Sequence, residues 1–247
     1  MNDIFLRLHP DYDELSVKAK RKLRLEKEFI EDYYDKIIEV CNEYEKQKGK
    51  AVSDGLLAYI VRCSWATVLH FKLSFYDYVD FNKKTDKSSL KQKTLVNHLP
   101  EIISLWEKYK KDFDLDEVDA LRTAVNEKCV NDIMFNLYPN YEKMSYKDKN
   151  KIKHEKVFII QHLDEIVNVY ENLRKSSKQN ENVLLREALD DVWANDLFTT
   201  LHPNYEQLTG EDKDKADEDR HKIKNNLNEI ISMMKDLGIY KYNWSER

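Results

Sequence analysis

Three short segments carry the side chains best suited to chemistry. They are His9-Pro10-Asp11-Tyr12, Tyr138-Pro139-Asn140-Tyr141 and His202-Pro203-Asn204-Tyr205. An imidazole beside a phenol can relay a proton, hold a ligand by hydrogen bonds or bind a metal. Repeated along a chain, such a box would set His9, Tyr12, Tyr138, Tyr141, His202 and Tyr205 along one edge as a binding surface. A catalytic histidine would have to recur in every copy, and Tyr138 stands in its place in one of them. The simpler reading is a structural corner, in which proline ends a helix, tyrosine covers apolar residues and the polar neighbours cap the next helix.

Other sources of chemistry are thin. Two Glu-x-x-His pairs with two further Glu would suit a di-iron bundle, but only Glu218 with His221 has that spacing. His154-Glu155 opens a zinc-protease pattern and then places Phe158 where the second His belongs. Four scattered glycines cannot build a phosphate loop. Cys41, Cys63 and Cys129 fall on apolar stripes, with an odd count and irregular spacing that suit neither a disulfide framework nor a zinc knuckle. No catalytic group, metal site or cofactor is expected.

Basic residues cluster after two of the boxes. They include Lys18, Lys20, Arg21, Lys22, Arg24 and Lys27, then Lys147, Lys149, Lys151, Lys153 and Lys156, with Lys87, Lys91 and Lys93 between the two groups. Aligned at helix starts, Lys20, Arg21, Arg24, Lys149 and Lys153 could grip phosphates or an acidic partner. Against this, the fourth copy interleaves Asp212, Asp214, Asp217, Glu218 and Asp219, as a solvated face would.

The elements that must position these residues derive from an internal repeat. Asn2-Asp3-Ile4-Phe5, Asn131-Asp132-Ile133-Met134 and Asn195-Asp196-Leu197-Phe198 each lead into a proline box, then to Ser16, Ser145 or Thr209. The gap between the first two is about twice that between the last two. A decayed copy therefore lies around Trp65-Ala66 and Leu73, with Phe75-Tyr76-Asp77-Tyr78-Val79-Asp80-Phe81 replacing the proline box. Four units result, at 1–50 (helix A truncated), 51–112 (divergent), 113–178 and 179–247.

Leu185, Ala188, Leu189, Val192, Trp193 and Leu197 make the helix A stripe, echoed by Leu121, Ala124, Val125, Cys129 and Ile133 and by Leu57, Ile60, Val61 and Trp65. Proline then breaks the helix. Ser16, Ser145 and Thr209 are placed to cap helix B, with Asp148 and Asp212 three residues on as weak capping boxes. Helix B carries Phe29-Ile30 and Ile37-Ile38 in the first copy. The third has Val157, Ile160, Leu163 and Ile166-Val167; the fourth has Ile223, Leu227 and Ile230-Ile231. Pro100 predicts a kink or restart in the second. The fold class is all-α, made of tandem helix–corner–helix units stacked as a short array, straight or curved, or as two compact pairs.

Val192-Trp193-Ala194, Tyr205-x-x-Leu208 and Lys213 resemble the order of motifs in the ryanodine-receptor repeat. Tyr141, Met144 and Lys149 are similar, as are Tyr12, Leu15 and Lys20. The family's Trp-Gly-rich strand segment and the Asp-Arg after its Lys have no counterpart here. The resemblance implies an interaction module rather than an enzyme.

Composition agrees with helices and bounds the setting. Gly and Pro number 4 each in 247 residues, too few for the turns of a sandwich or barrel. Hydrophobic residues at 41% exclude a disordered chain, and a net charge of −5 does not advertise nucleic acid. The sequence predicts no signal peptide and no membrane span, reduced thiols and an intracellular (cytoplasmic) setting. Its Lys, Asn, Ile and Tyr content fits an AT-rich genome such as that of a large virus. The expected role is non-enzymatic assembly with a protein partner or a second copy. The alternatives are a nucleic-acid binder using the basic helix starts and a small-ligand binder with a pocket between repeats.

Overall fold

The computed structural model describes residues 2–73, 89–113 and 115–237. Among them the regular structure is α-helix and short 3-10 turns, with no strand. In order the helices are α1 (Asn2–Leu8), α2 (Val17–Asp32), α3 (Tyr34–Lys48), α4 (Asp54–Leu73), α5 (Leu90–Asn97), α6 (Leu99–Asp112), α7 (Glu117–Leu137), α8 (Tyr146–Lys151), α9 (Lys153–Gln161), α10 (Leu163–Ser176), α11 (Glu181–Leu201), α12 (Gly210–Asn225) and α13 (Leu227–Asp236). The Phe75–Phe81 stretch and Lys87 lie outside the described residues.

The proline boxes lie in like surroundings. Helices α1, α7 and α11 end at Leu8, Leu137 and Leu201, two residues before Pro10, Pro139 and Pro203. The residue before proline is crowded out of helical geometry, and His202 has φ −124° and ψ 67°. A 3-10 turn comes next in each case, at Tyr12–Glu14, Tyr141–Lys143 and Tyr205–Gln207. Leu15, Met144 and Leu208 then take extended ψ values of 146°, 145° and 144°.

Two of the three expected caps form. Ser16 Oγ accepts from the Ala19 N–H at 3.3 Å, and Ser145 Oγ accepts from Asp148 at 3.2 Å while donating to its carboxylate at 2.8 Å. Thr209 sits at the N-cap of α12 without a side-chain bond, and Asp212 completes no box with it. Its backbone differs from that of the two serines, with φ −139° against −61° for each of them, and Gly210 beyond it has φ +57°. Ser89 caps α5 by accepting from Gln92 at 3.2 Å.

Helix B breaks in every segment, with or without proline. Tyr33, His98, His162 and Asn226 have φ of −116°, −120°, −114° and −117° and ψ of 18°, 23°, 23° and 20°. These four lie 65, 64 and 64 residues apart, and the third segment has a further break at Ile152, between α8 and α9. Tyr, His and Asn are all indifferent helix formers. Each break residue keeps its N–H bond to the residue four before, and its carbonyl accepts from the residue four after, as in Tyr33 N–H to Phe29 and Ile37 N–H to Tyr33 at 3.0 Å each. The hitch rotates the faces of the two half-helices. On α9 the inward face carries Val157, Phe158 and Ile159, so Ile160, expected on the stripe, is exposed.

The chain divides into two compact units, Met1–Ala124 and Val125–Arg247, and α7 passes from one to the other. In the first unit α4 packs on α1, α3 and α5; in the second α11 packs on α10 and α12. In each unit a tryptophan of helix A stacks face to face on a phenylalanine of helix B. Trp65 lies 5.1 Å from Phe29 at 7° between planes, and Trp193 lies 4.4 Å from Phe158 at 6°. The far face of each phenylalanine carries the break residue, Tyr33 at 4.8 Å and His162 at 4.3 Å. Cys129 occupies the tryptophan position in α7, and Thr94 the phenylalanine position in α5; both are buried.

Trp193→Ala is expected to cost about 3–5 kcal/mol, because a fully buried ring and its stack are lost together. Ser145→Ala should cost about 1 kcal/mol and Thr209→Ala a few tenths at most. Urea unfolding followed by circular dichroism checks all three, and a Thr209 loss equal to that at Ser145 would contradict the cap geometry.

Candidate functional site

The corner is assembled from the end of helix A, the proline turn and the middle of helix B. The residue before each proline faces an acidic group 17 positions on. His9 Nε2 lies 3.3 Å from Glu26, and His202 Nε2 lies 3.3 Å from Asp219, in neither case with hydrogen-bond alignment. Tyr138 instead donates its hydroxyl to Glu155 at 2.9 Å. The His-for-Tyr exchange thus keeps the partner while changing the donor.

The tyrosine after each proline is clasped by two cations, 8 and 15 residues on. Lys20 and Lys27 lie 5.4 and 5.7 Å from the Tyr12 ring centre, Lys149 and Lys156 lie 5.4 and 5.5 Å from that of Tyr141, and Lys213 and Arg220 lie 5.3 and 4.5 Å from that of Tyr205. Such contacts stabilise by roughly 0.5–1 kcal/mol at exposed sites. Lys20 and Lys149 also donate to the carbonyls of Asp13 and Glu142, at 2.8 and 3.0 Å. Behind the tyrosine, Phe5 meets Tyr12 edge-on at 4.9 Å, and Phe198 meets Tyr205 at 5.1 Å.

The expected binding residues therefore divide. Within each box the histidine or tyrosine and the second tyrosine sit together, and their partners are internal. Lys20 and Lys149 belong to the clasps rather than to a free basic ladder. Arg24 pairs with Glu28 at 3.4 Å and approaches Glu107 at 4.0 Å. Arg21 is exposed on α2, and Lys153 is exposed at the start of α9. The missed residues are the acids Glu26, Glu155 and Asp219 and the second clasp members Lys27, Lys156 and Arg220. Their constant offset from the proline box was the signal that could have found them.

The most tightly tied polar cluster is in the second unit. Glu155 is buried on α9. Arg186 of α11 reaches its carboxylate at 3.1 Å and the Tyr138 hydroxyl at 3.2 Å, with the guanidinium 5.6 Å from the Tyr138 ring centre. Burial works against the charge of Arg186, and the adjacent Glu155 more than restores it, so the guanidinium stays protonated beyond the ordinary arginine range. Burial, followed by the Glu155 charge, raises the Tyr138 phenol. Burial also raises Asp190, one turn along α11, with Arg186 opposing and Glu155 and Asp191 adding to the rise.

Among the described residues no group of three His, Cys, Asp or Glu side chains could hold a metal. Burial raises the thiols of Cys41 and Cys63, which makes them poorer nucleophiles. Helix α4 departs from the expectation of no span-length apolar run: at 20 residues it is long and apolar enough to cross a membrane by length and composition. Within its unit Leu57, Ile60, Val61, Trp65, Ala66 and Leu69 of that helix are buried. No family model, curated protein or solved structure matches the chain.

Arg186→Ala should cost about 2 kcal/mol, less than the 3–5 of a fully buried pair because over a third of the arginine side chain remains in water. Asp190→Asn should act the other way and with pH. An ordinary aspartate ionises near 3.9, and the folded one ionises later. Between those points the fold holds a proton that the unfolded chain has lost, so stability falls as pH rises through the window. The Asn variant is expected to melt above the parent at pH 7 and level with it near pH 3 in thermal scans.

Proposed function

We propose that this protein is a non-enzymatic interaction module, built from four copies of one helix–corner–helix unit, that works in assembly through its surfaces. The internal use of the corner supports this reading: groups that could have formed an active site are spent on ion pairs and cation–ring clasps. What remains at the surface recurs in the two units. Val17 and Tyr146, the first residues of α2 and α8, are 85% and 82% exposed, and Leu6 and Phe135 stand 40% and 38% exposed before the proline boxes. Large apolar side chains held in water at matched positions suit contact with another protein.

The partner is a second copy of the chain or another protein with an apolar face. A nucleic-acid role has less support, because several of the cations it needs are engaged with tyrosines and carboxylates. The Lys-, Asn-, Ile- and Tyr-rich composition, of the kind an AT-rich genome encodes, suits a viral assembly component. The motif order shared with the ryanodine-receptor repeat, itself a proposal, points the same way.

Sedimentation velocity on the full chain tests the reading. The weight-average mass should rise with concentration, and Val17→Glu with Tyr146→Glu should return it to that of a monomer. A strict monomer at high concentration would end the self-association form of the proposal. Steeply salt-dependent retention of DNA or RNA in gel shift would favour the nucleic-acid reading instead.

A further inference from the structure

The two units differ at one position that has a direct structural consequence. Arg186 of α11 and Ala58 of α4 stand 128 residues apart, the same offset that separates Trp193 from Trp65 and Leu227 from Leu99. The groups around Arg186 have counterparts around Ala58. Glu155 corresponds to Glu26 and Tyr138 to His9, each 129 residues earlier. In the second unit the guanidinium fills the space between the acid, the phenol and helix A. In the first unit a methyl group stands there.

The space left behind is open. A pocket of about 560 Å³ in the first unit is lined by His9, Glu26, Ala58, Trp65, Leu99 and Glu101, among others. The matching groove of the second unit is lined by Arg186 and by Leu227 and Glu229, the counterparts of Leu99 and Glu101, but does not reach Tyr138, Glu155 or Trp193. Arg186 closes it off from them. In the first unit the acid is half-buried and, with an edge of the buried tryptophan, lines the pocket, whereas the second unit covers both with its own arginine.

We propose that the pocket of the first unit receives an arginine side chain from a partner protein. The second unit supplies the template: a guanidinium held by the acid of helix B, against the ring of the residue before proline. Glu26 is the acceptor in the first unit, with about a quarter of its side chain in water. The planar fork of a guanidinium can bond a carboxylate through two N–H groups while its face lies on a ring. His9 Nε2 is buried 3.3 Å from Glu26 without a hydrogen bond to it, and Phe5 packs on the ring at 4.9 Å, so the imidazole is held beside the acid without saturating it. Leu99 and Pro100 line the pocket as apolar cover for the aliphatic stem. Lys22 and Arg62 also line it, and Arg24 lies 4.0 Å from Glu107, whereas Glu26 has no Lys or Arg within ion-pair distance among the described residues and is the carboxylate left for an incoming guanidinium.

The proposal rests on the reading of the chain as an interaction module, but its test reports on the pocket alone, whereas sedimentation reports on self-association. The probe is a capped Gly-Arg-Gly peptide titrated into the full chain, with the Trp65 indole N–H followed by NMR and assigned through Trp65→Phe. The Trp65 signal should shift and saturate. The Gly-Lys-Gly and Gly-citrulline-Gly peptides should bind about tenfold more weakly or worse, since neither offers a charged planar fork. Free arginine giving the same saturation curve as the peptide would assign the pocket to a small metabolite and overturn the partner-protein form.

Ala58→Arg should abolish the response and raise the melting temperature, by supplying internally the group that Arg186 supplies in the second unit. Glu26→Gln should abolish the response with the helical circular dichroism spectrum retained. Arg186→Ala should create a second responsive site, read at Trp193. No Trp65 shift at peptide concentrations of about 10 mM, equal shifts from the lysine peptide, or continued binding by Ala58→Arg would each overturn the proposal.

Discussion

The face-to-face stack of an indole on a phenyl ring is the contact on which each unit depends. Trp65 on Phe29 and Trp193 on Phe158 tie one helix A to the preceding helix B. Two large planar rings within 7° of parallel fix the separation, the register and the rotation of the two helices at once. Aliphatic contacts tolerate sliding, but a ring stack tolerates little. The break residue on the other side of the phenylalanine makes a three-ring layer, Tyr33–Phe29–Trp65 or His162–Phe158–Trp193. Thr94 in α5 and Cys129 in α7 are small buried side chains at the positions that correspond to the phenylalanine and the tryptophan.

Given that layer, the kink in helix B has a purpose in packing. An unbroken helix from Val17 to Lys48 would present a single drifting stripe. The hitch at Tyr33 gives the two halves separate faces, one carrying Phe29 and Ile30 and the other Ile37 and Cys41. The same backbone angles recur at His98, His162 and Asn226, and Pro100 accompanies only one of them. Proline is thus one way of meeting a demand that packing imposes on all four.

The tips of the second half-helices show the same economy. Trp106 donates its indole N–H to the Glu117 carbonyl at 2.9 Å. Tyr170, buried in the equivalent place, bonds to Glu181, and burial followed by that carboxylate pushes its phenol up to about 12. Cys41 takes this position in the first segment. Polar tips on apolar bodies thereby anchor the end of helix B to the start of the next helix A without leaving a buried donor unpaired.

The sequence by itself determined the all-α class, the corners, the two serine caps and the break beside Pro100, though not those at Tyr33, His162 and Asn226. These are local consequences of proline geometry, capping chemistry and a repeat visible in plain residue order. It also marked the proline boxes as the place where polar residues gather. It did not disclose that Glu26, Glu155 and Asp219 face those boxes, or that Lys20 and Lys149 lie over tyrosine rings, because these contacts join residues well over a helical turn apart across a bend. Nor could the stripe at Ile160 be read correctly, since a kink of unknown sense decides which side of the helix is inward. Only the tertiary structure decided that Arg186 fills a space which Ala58 leaves open. Two aligned letters say that a side chain has shortened. Whether neighbours collapse into the gap or leave it open depends on how rigidly the surrounding helices are held, and here the gap stays open.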